Sequence, residues 1–390
     1  MKNKNLSRKT RDLNNHSLSK KFLFSLAAVS VLSTYADAEI SGAGCSGNCG
    51  TVSEEKTDKI TVSGTNNTTL TITSSGSVKP SNGFAIEFQN GSSLQNFNNQ
   101  GTIKNGGTQE AIKFYGATID NFKNSGLISG NWSGLEINGG EISNNQNDYI
   151  KTFENSGTIQ STGGNGIYLN KGTIDTFTNK SNGLINGINK GINLQSSTIN
   201  SFNNDGIINS KEKGVYLGHS TINSFKNNGT IVASGNEVIF DPNSGLELGN
   251  SRIETFENTG TISGPVGVYV GSSNIDKFIN KGVIEGTLND PNSTGILLDV
   301  YDGENSSTIK NFSNEGTIKG AAQGIIISNK NKIETLINKG TIEVSSNGIM
   351  FYNYTNSVNG ITELGQINLE EGSVIKAGQD GIHIDGSKDG

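Results

Sequence analysis

Long apolar runs are almost missing from this 390-residue sequence. The one sustained stretch of apolar and small residues, Phe22 to Val31, is too short to span a bilayer comfortably, and no later segment is apolar enough to try. With two cysteines, Cys45 and Cys49, the chain is not a disulfide-built scaffold, and no His or further Cys stands near them to complete a metal site. Beyond residue 38 histidine is confined to His219 and His383, and no Gly-x-Ser-x-Gly or Gly-Asp-Ser-Gly context occurs, so serine or cysteine hydrolase chemistry is not expected. The Gly-Gly-x-Gly-x-Asp calcium repeat and a phosphate-binding glycine loop are absent as well, and no cofactor or metal is expected. Positive charge is sparse: the formal net charge is −6, and Arg252 is the only arginine beyond residue 38. That balance argues against nucleic acid or anionic lipid as partner, since dense Lys and Arg hold both.

What is abundant is glycine, 52 residues, and a recurring asparagine. Asn99, Asn124, Asn155, Asn179, Asn204, Asn227, Asn258, Asn280, Asn314 and Asn338 each stand two residues after a large apolar residue. Those anchors are Phe97, Phe122, Phe153, Phe177, Phe202, Phe225, Phe256, Phe278, Phe312 and Leu336, within units reading I-x-x-F-x-N-x-G-x-I and then G-I-x-L. A repeat of this length means a solenoid or array. Inside it, Phe153, Asn155, Gly157 and Ile159 alternate with period two, as extended chain does when one face is buried, and helical spacing is absent. The three-residue step from Ile150 to Phe153 predicts a bend or bulge, and Asn-x-Gly predicts a corner because both residues tolerate unusual backbone angles.

These features predict an all-β chain: a right-handed parallel β-helix, or β-solenoid, of about ten to eleven coils with an N-terminal cap. Coils stacked about 4.8 Å apart place Asn on Asn, so each amide can donate to one neighbour and accept from the other. A single coil buries too few apolar side chains to offset the entropy of ordering its residues, so coils depend on one another.

Lys20 and Lys21 before the apolar run, with Ala36-Asp37-Ala38 after it, read as a secretory signal over residues 1–38. Residues 39–80 carry Ile60-Thr61-Val62 and Leu70-Thr71-Ile72 without the full repeat, as expected of a segment that covers the first coil's open edge. In the oxidising compartment that export implies, Cys45 and Cys49 are expected to close a small disulfide loop. Residues 81–390 form the helix, and Gly381 to Ile384 are expected to end it partway through a coil.

Four connections are long: Ile137 to Ile150, Phe240 to Ile253, Leu298 to Ile309 and Phe351 to Ile361. They are expected to share one corner, so that the loops Asn138 to Tyr149, Asp241 to Arg252 and Asp299 to Thr308 project from one edge, where binding commonly resides. The middle residue of G-I-x-L points outward. It begins polar, with Glu87, Lys113, Glu136, Tyr168 and Asn193 in the middle place or the matching one, and continues as Tyr216, Ile239, Tyr269, Leu297, Ile326 and Met350. The last six predict an apolar stripe about 24 Å long that marks a partner's contact. A second register also fits, in which Gly245-Leu246-Glu247-Leu248 forms the strand and Glu247 faces outward. Asp290, Asp299, Asp302 and Glu304, read as one insertion, together with Arg252 in another, are the nearest thing to a carbohydrate-active site, which works with carboxylates gathered on one face.

The long polar extension before the signal, the close Cys pair and the F-x-N-x-G-T-I repeats resemble the passenger region of type V secretion autotransporters, and among them the adhesin-like autotransporters of Campylobacter and its relatives. The resemblance covers nearly the whole chain. It implies surface display by this export route but says little of activity, because adhesins, toxins and enzymes share the scaffold; with catalytic residues so thin, the chain is read as a surface-displayed or secreted adhesin or host-interaction module, not an enzyme, whose outward stripe meets a host cell-surface or matrix protein or glycan. It also implies an outer-membrane β-barrel translocator C-terminal to the passenger, which this sequence does not contain. Export across the inner membrane is expected, with a place at the cell surface or outside it if a barrel follows Gly390, and in the periplasm otherwise. A carbohydrate-active β-helix enzyme and an inert stalk are the alternatives.

Overall fold

The computed structural model describes residues 39–41, 49–139, 147–238, 241–300, 305–352 and 365–385. The expected signal segment, Cys45 and the Cys49 side chain lie outside the described residues. Among them, strands fall into three long sheets of 14, 13 and 13 strands, and neighbours within each sheet are three places apart in chain order. Each turn of the chain therefore gives one strand to each sheet, which is a parallel β-helix of about 13 coils. Among the described residues only Glu39–Ser41 runs antiparallel, against Ile60–Ser63 on the first sheet.

The extra coils over the expected ten to eleven come from both ends. Leu70 and Ile72 stand in register with Phe97 and Asn99, so residues 60–78, expected as part of a cover, already form a coil. At the other end Ile367 and Leu369 stand in register with Leu336 and Asn338. Leu70 and Ile72 are fully buried in these places, whereas Ile367 is half-buried and Leu369 is exposed.

On the second sheet the strand Thr198–Asn204 shows how the repeat folds. Ile199, Phe202 and Asn204 are buried while Asn200 and Ser201 are exposed, and the pairing with Thr173–Asn179 passes over Asp175 and Asn200, where the bend was expected. Nine phenylalanines from Phe97 to Phe312 stack with centroids 4.2–5.2 Å apart and planes within 24°. All ten asparagines are at most 1% exposed. The Asn204 amide donates to Asn227 Oδ1 at 2.8 Å and to the carbonyl oxygens of Gly206 and Thr230, while its own Oδ1 accepts from Asn179. The chain of amides runs unbroken from Asn99 to Asn338 in one direction.

The corner after the asparagine differs from expectation in its cause. No left-handed backbone angle occurs there among the described residues; a Cβ on Gly229 would instead lie 2.1 Å from the Gly206 carbonyl oxygen, so glycine is required by the close approach of stacked coils. Left-handed residues gather at the corner between first and second sheets, at Lys171, Ser196, His219, Asn250 and Ser272. A second polar ladder follows them: the backbone N–H of Ser197, Ser220, Ser251 and Ser273 each donates to the next coil's serine hydroxyl at 2.8–3.2 Å.

Truncating one ring of the stack tests the inside and outside of this fold. Phe202→Ala should lower the unfolding free energy by about 3–5 kcal/mol, whereas exposed Ser201→Ala should stay within about 0.5 kcal/mol of the native chain. Denaturant melts of the two variants that coincide would contradict the assignment.

Candidate binding face on the first sheet

Pairing on the first sheet fixes the outward row: Glu87, Lys113, Glu136, Tyr168, Asn193, Tyr216, Glu247, Tyr269, Leu297, Ile326, Met350 and His383 stand in register on successive coils. The expectation that Ile239 belongs to this row is corrected. Ile239 lies outside the described residues, and Glu247 holds the place between Tyr216 and Tyr269. The reason is the glycine that opens G-I-x-L: a Cβ at Gly245 would come within 2.7 Å of Ile262 Cγ2 and 2.9 Å of the Gly267 carbonyl oxygen, and Val238-Ile239-Phe240 has Glu237 in that position.

This register also divides the long connections. Those following first-sheet strands Ser133–Asn138, Thr294–Asp299 and Ile349–Tyr352 share one corner as expected, but the one between Thr230–Ala233 and Ser244–Gly249 enters the first sheet from its opposite edge. Described parts of these connections flank the outward face, Asp241–Pro242 on one side and Asp299–Val300 on the other. Tyr216 and Tyr269 are more than nine-tenths buried, and Leu297, Ile326 and Met350 are half-buried, so the expected open stripe is a shorter, recessed surface interrupted by Glu247. Over Tyr269, Leu297, Ile326 and Met350 lies a cleft of about 630 Å³, bounded by Asp241–Pro242 and Pro291–Asn292 on one edge and by Asp299–Val300 on the other.

A buried ion cluster positions one wall. Lys213 Nζ lies 2.7 Å from Asp241 Oδ1, 3.1 Å from the Pro242 carbonyl oxygen and 3.0 Å from Glu247 Oε2, which also accepts from Ser244 Oγ. Burial works against the Lys213 ammonium, but Glu247 and Asp241 beside it outweigh this and hold its pKa above the usual lysine range. Glu247 is fully buried beneath this corner.

The carboxylates read as enzyme-like do not form one group among the described residues. Asp290 precedes the strand Thr294–Asp299 and accepts from the Asn292 backbone N–H, while Asp299 ends that strand and accepts from Ser328 Oγ at 2.6 Å. About 17 Å of extended chain separates the two ends, and Asp302 and Glu304 lie outside the described residues. Arg252 bonds Glu254 and Asp276 on its own surface. His219 occupies a left-handed corner and His383 pairs with Asp380 at 2.8 Å. No cluster of three or more His, Cys, Asp or Glu able to hold a metal occurs among the described residues.

The row's polar end is buried more deeply than its composition suggested. Lys113 and Glu136 form an ion pair, and Glu136 Oε1 also accepts from Asn138 Nδ2 at 3.2 Å. Glu110 stands beside them, 5% exposed, and burial together with the Glu136 carboxylate pushes its pKa up to about 8. Asp148 accepts the Ala117 backbone N–H at 2.6 Å, yet burial raises it to about 7. Sequence reasoning singled out neither Glu110 nor Lys213, because their surroundings are assembled from different coils. It also passed over Trp132, the lone tryptophan, in the corner Gly130-Asn131-Trp132-Ser133.

Comparison of the chain with family models, curated proteins and solved structures finds no match.

Carboxyls raised in the folded state keep their protons when the unfolded chain has lost them, so their contribution to stability is present below the unfolded pKa and is lost as pH rises. For Glu110 the window runs from its ordinary value of 4.5 to about 8, and for Asp148 from 3.8 to about 7. Glu110→Gln should therefore melt several degrees above the native chain at pH 8.5 and close to it at pH 5. An unchanged difference between the two pH values would contradict the buried, protonated carboxyl.

Proposed function

We propose that this chain is the passenger of an autotransporter, exported and displayed at the cell surface or released, and that it works as a non-catalytic adhesin or host-interaction module. The observation that carries this reading is the recessed apolar floor of Tyr269, Leu297, Ile326 and Met350, flanked by connections from both edges of a rigid sheet. Its volume of about 630 Å³ falls in the range of built recognition sites. Aromatic and aliphatic groups already fixed on a sheet lose little entropy on contact, and a few such groups can supply most of an interface's energy. The partner that fits is a host cell-surface or matrix protein, or a glycan, presenting an apolar element to this floor.

Two further features support binding over catalysis and over a bare stalk. Asp290 lies in the turn before the strand Thr294–Asp299 and Asp299 at its far end, which suits wall positions better than paired acid and base. The Lys213 cluster commits a buried charge to holding the Asp241–Pro242 corner over the face, a construction that a spacer does not need. The repeats and the signal-like N-terminus support the autotransporter route through their resemblance to that family.

The test is attachment of the purified chain from residue 39 onward to host cells or matrix, using the variant Tyr269→Ser with Ile326→Ser and, separately, half-buried Ile326→Arg. Both should retain the native β-sheet circular dichroism. Attachment should fall by about tenfold or more, the equivalent of about 1.4 kcal/mol, and should vary little with salt because the floor carries no charge. Full attachment by both folded variants would rule the cleft out.

A further inference from the structure

Toward the N-terminal end of the outward row, an amine and a side-chain amide are buried against one carboxylate. Lys113, Glu136 and Asn138 are each at most 5% exposed. Lys113 stands opposite Glu136 in the parallel pairing, and Asn138 lies two residues further along the same strand, on the same face. Glu136 Oε1 accepts from both Lys113 Nζ and Asn138 Nδ2, the second at 3.2 Å. Two donors on one oxygen are at most about 6 Å apart. Lys113 Nζ also lies 5.3 Å over the Tyr115 ring, and Tyr115 and Asn138 are the residues that follow the paired Phe114 and Ile137, so the ammonium leans toward Asn138. We propose that Lys113 and Asn138 join in an intramolecular isopeptide bond, made by the chain itself with Glu136 as proton carrier, which ties two successive coils together.

The reach fits the bond. Positions two residues apart on neighbouring strands are about 8 Å from one another along the diagonal, a distance that a lysine side chain joined to a carboxamide carbon spans. Each part of the amide also faces the group its reaction needs. Asn138 Oδ1, where negative charge gathers as the amine adds, accepts from Asn170 Nδ2 at 2.9 Å. Asn138 Nδ2, the leaving nitrogen, faces Glu136. Glu110 shares a hydrogen bond with the same carboxylate and holds it in place. Lys113 Nζ attacks Asn138 Cγ, the Cγ–Nδ2 bond breaks, and a secondary amide replaces the carboxamide. The lysine nitrogen gives up two of its three hydrogens through Glu136, and the asparagine nitrogen leaves with those two and its own two, as ammonium. Glu136 ends as it began, and nothing is oxidised or reduced. Burial favours the step by keeping water from the amine and disfavouring its charged form. Like a disulfide, the link restricts the unfolded chain, but it does not depend on redox state.

The purified chain is weighed intact, and its mass is expected about 17 Da below that of its own sequence, the ammonia lost. Trypsin should spare Lys113 and leave residues 105–123 joined to residues 124–151, with fragment ions placing the link between Lys113 and Asn138. Lys113→Arg keeps a cation beside Glu136 without a usable nucleophile, and Glu136→Gln removes the proton carrier. Both should return to the full mass while retaining the native β-sheet circular dichroism. Full mass in the native chain, with cleavage at Lys113, overturns the proposal whatever the variants do. So does a deficit that persists in Lys113→Arg, since Asn138-Gly139 can lose the same ammonia by closing a succinimide on its own backbone. A link that forms undiminished in Glu136→Gln contradicts the part given to Glu136. The readout is a mass and not attachment, so this inference and the apolar cleft stand or fall independently.

Discussion

The amide of one asparagine bonded to the amide of the next is the constraint on which the rest of this molecule depends. An amide buried at 0–1% exposure must find both donors and acceptors, and only an asparagine directly above and another directly below supply them in a parallel stack. A slip of one coil by one residue would place an outward side chain in the ladder and leave two amides unpaired. The ladder thus fixes register where stacked phenylalanines and isoleucines alone would tolerate exchange, since one apolar residue can replace another at little cost. It also fixes the neighbouring corner, where the glycine after the asparagine packs on the carbonyl of the glycine one coil before in every marked coil but that of Gly183, which packs on Asn179 and Asn155.

A fixed register on the second sheet is inherited by the first, because each coil is one continuous turn. This is why the outward row can combine residues far apart in sequence into two different surfaces. Lys113 and Glu136, 23 residues apart, meet in a buried ion pair, while Leu297 and Ile326 meet as a half-buried apolar floor. The solenoid itself specifies neither. What distinguishes the two ends is the choice of side chain at one outward position per coil and the length of the connections at its flanks.

The architecture was legible in the sequence because Phe and Asn mark every central coil at one fixed offset. The two ends were less legible, since Leu70, Ile72, Ile367 and Leu369 stand in the same register places without the signature. The candidate face was legible in outline only. Val238-Ile239-Phe240 is the more apolar segment and looks like the better strand, but the fold selects Gly245-Leu246-Glu247-Leu248 because a glycine must open it and because Lys213 and Ser244 accept the burial of Glu247. That compensation is tertiary and leaves no local trace. Glu110 and Trp132 share this difficulty: an acid and an aromatic residue in two different corners carry no pattern until stacking brings the corners together.

The ladder's energetic role is central to this fold, and one comparison of equilibrium unfolding measures it. Asn204→Leu keeps the same branched side-chain skeleton but removes the acceptor of Asn179 and the donor to Asn227, whereas Asn200→Leu changes an exposed asparagine on the same strand. The ladder predicts a loss of about 1–3 kcal/mol for the first and little change for the second. Equal stability of the two variants would contradict it, because the buried amides would then owe nothing to one another.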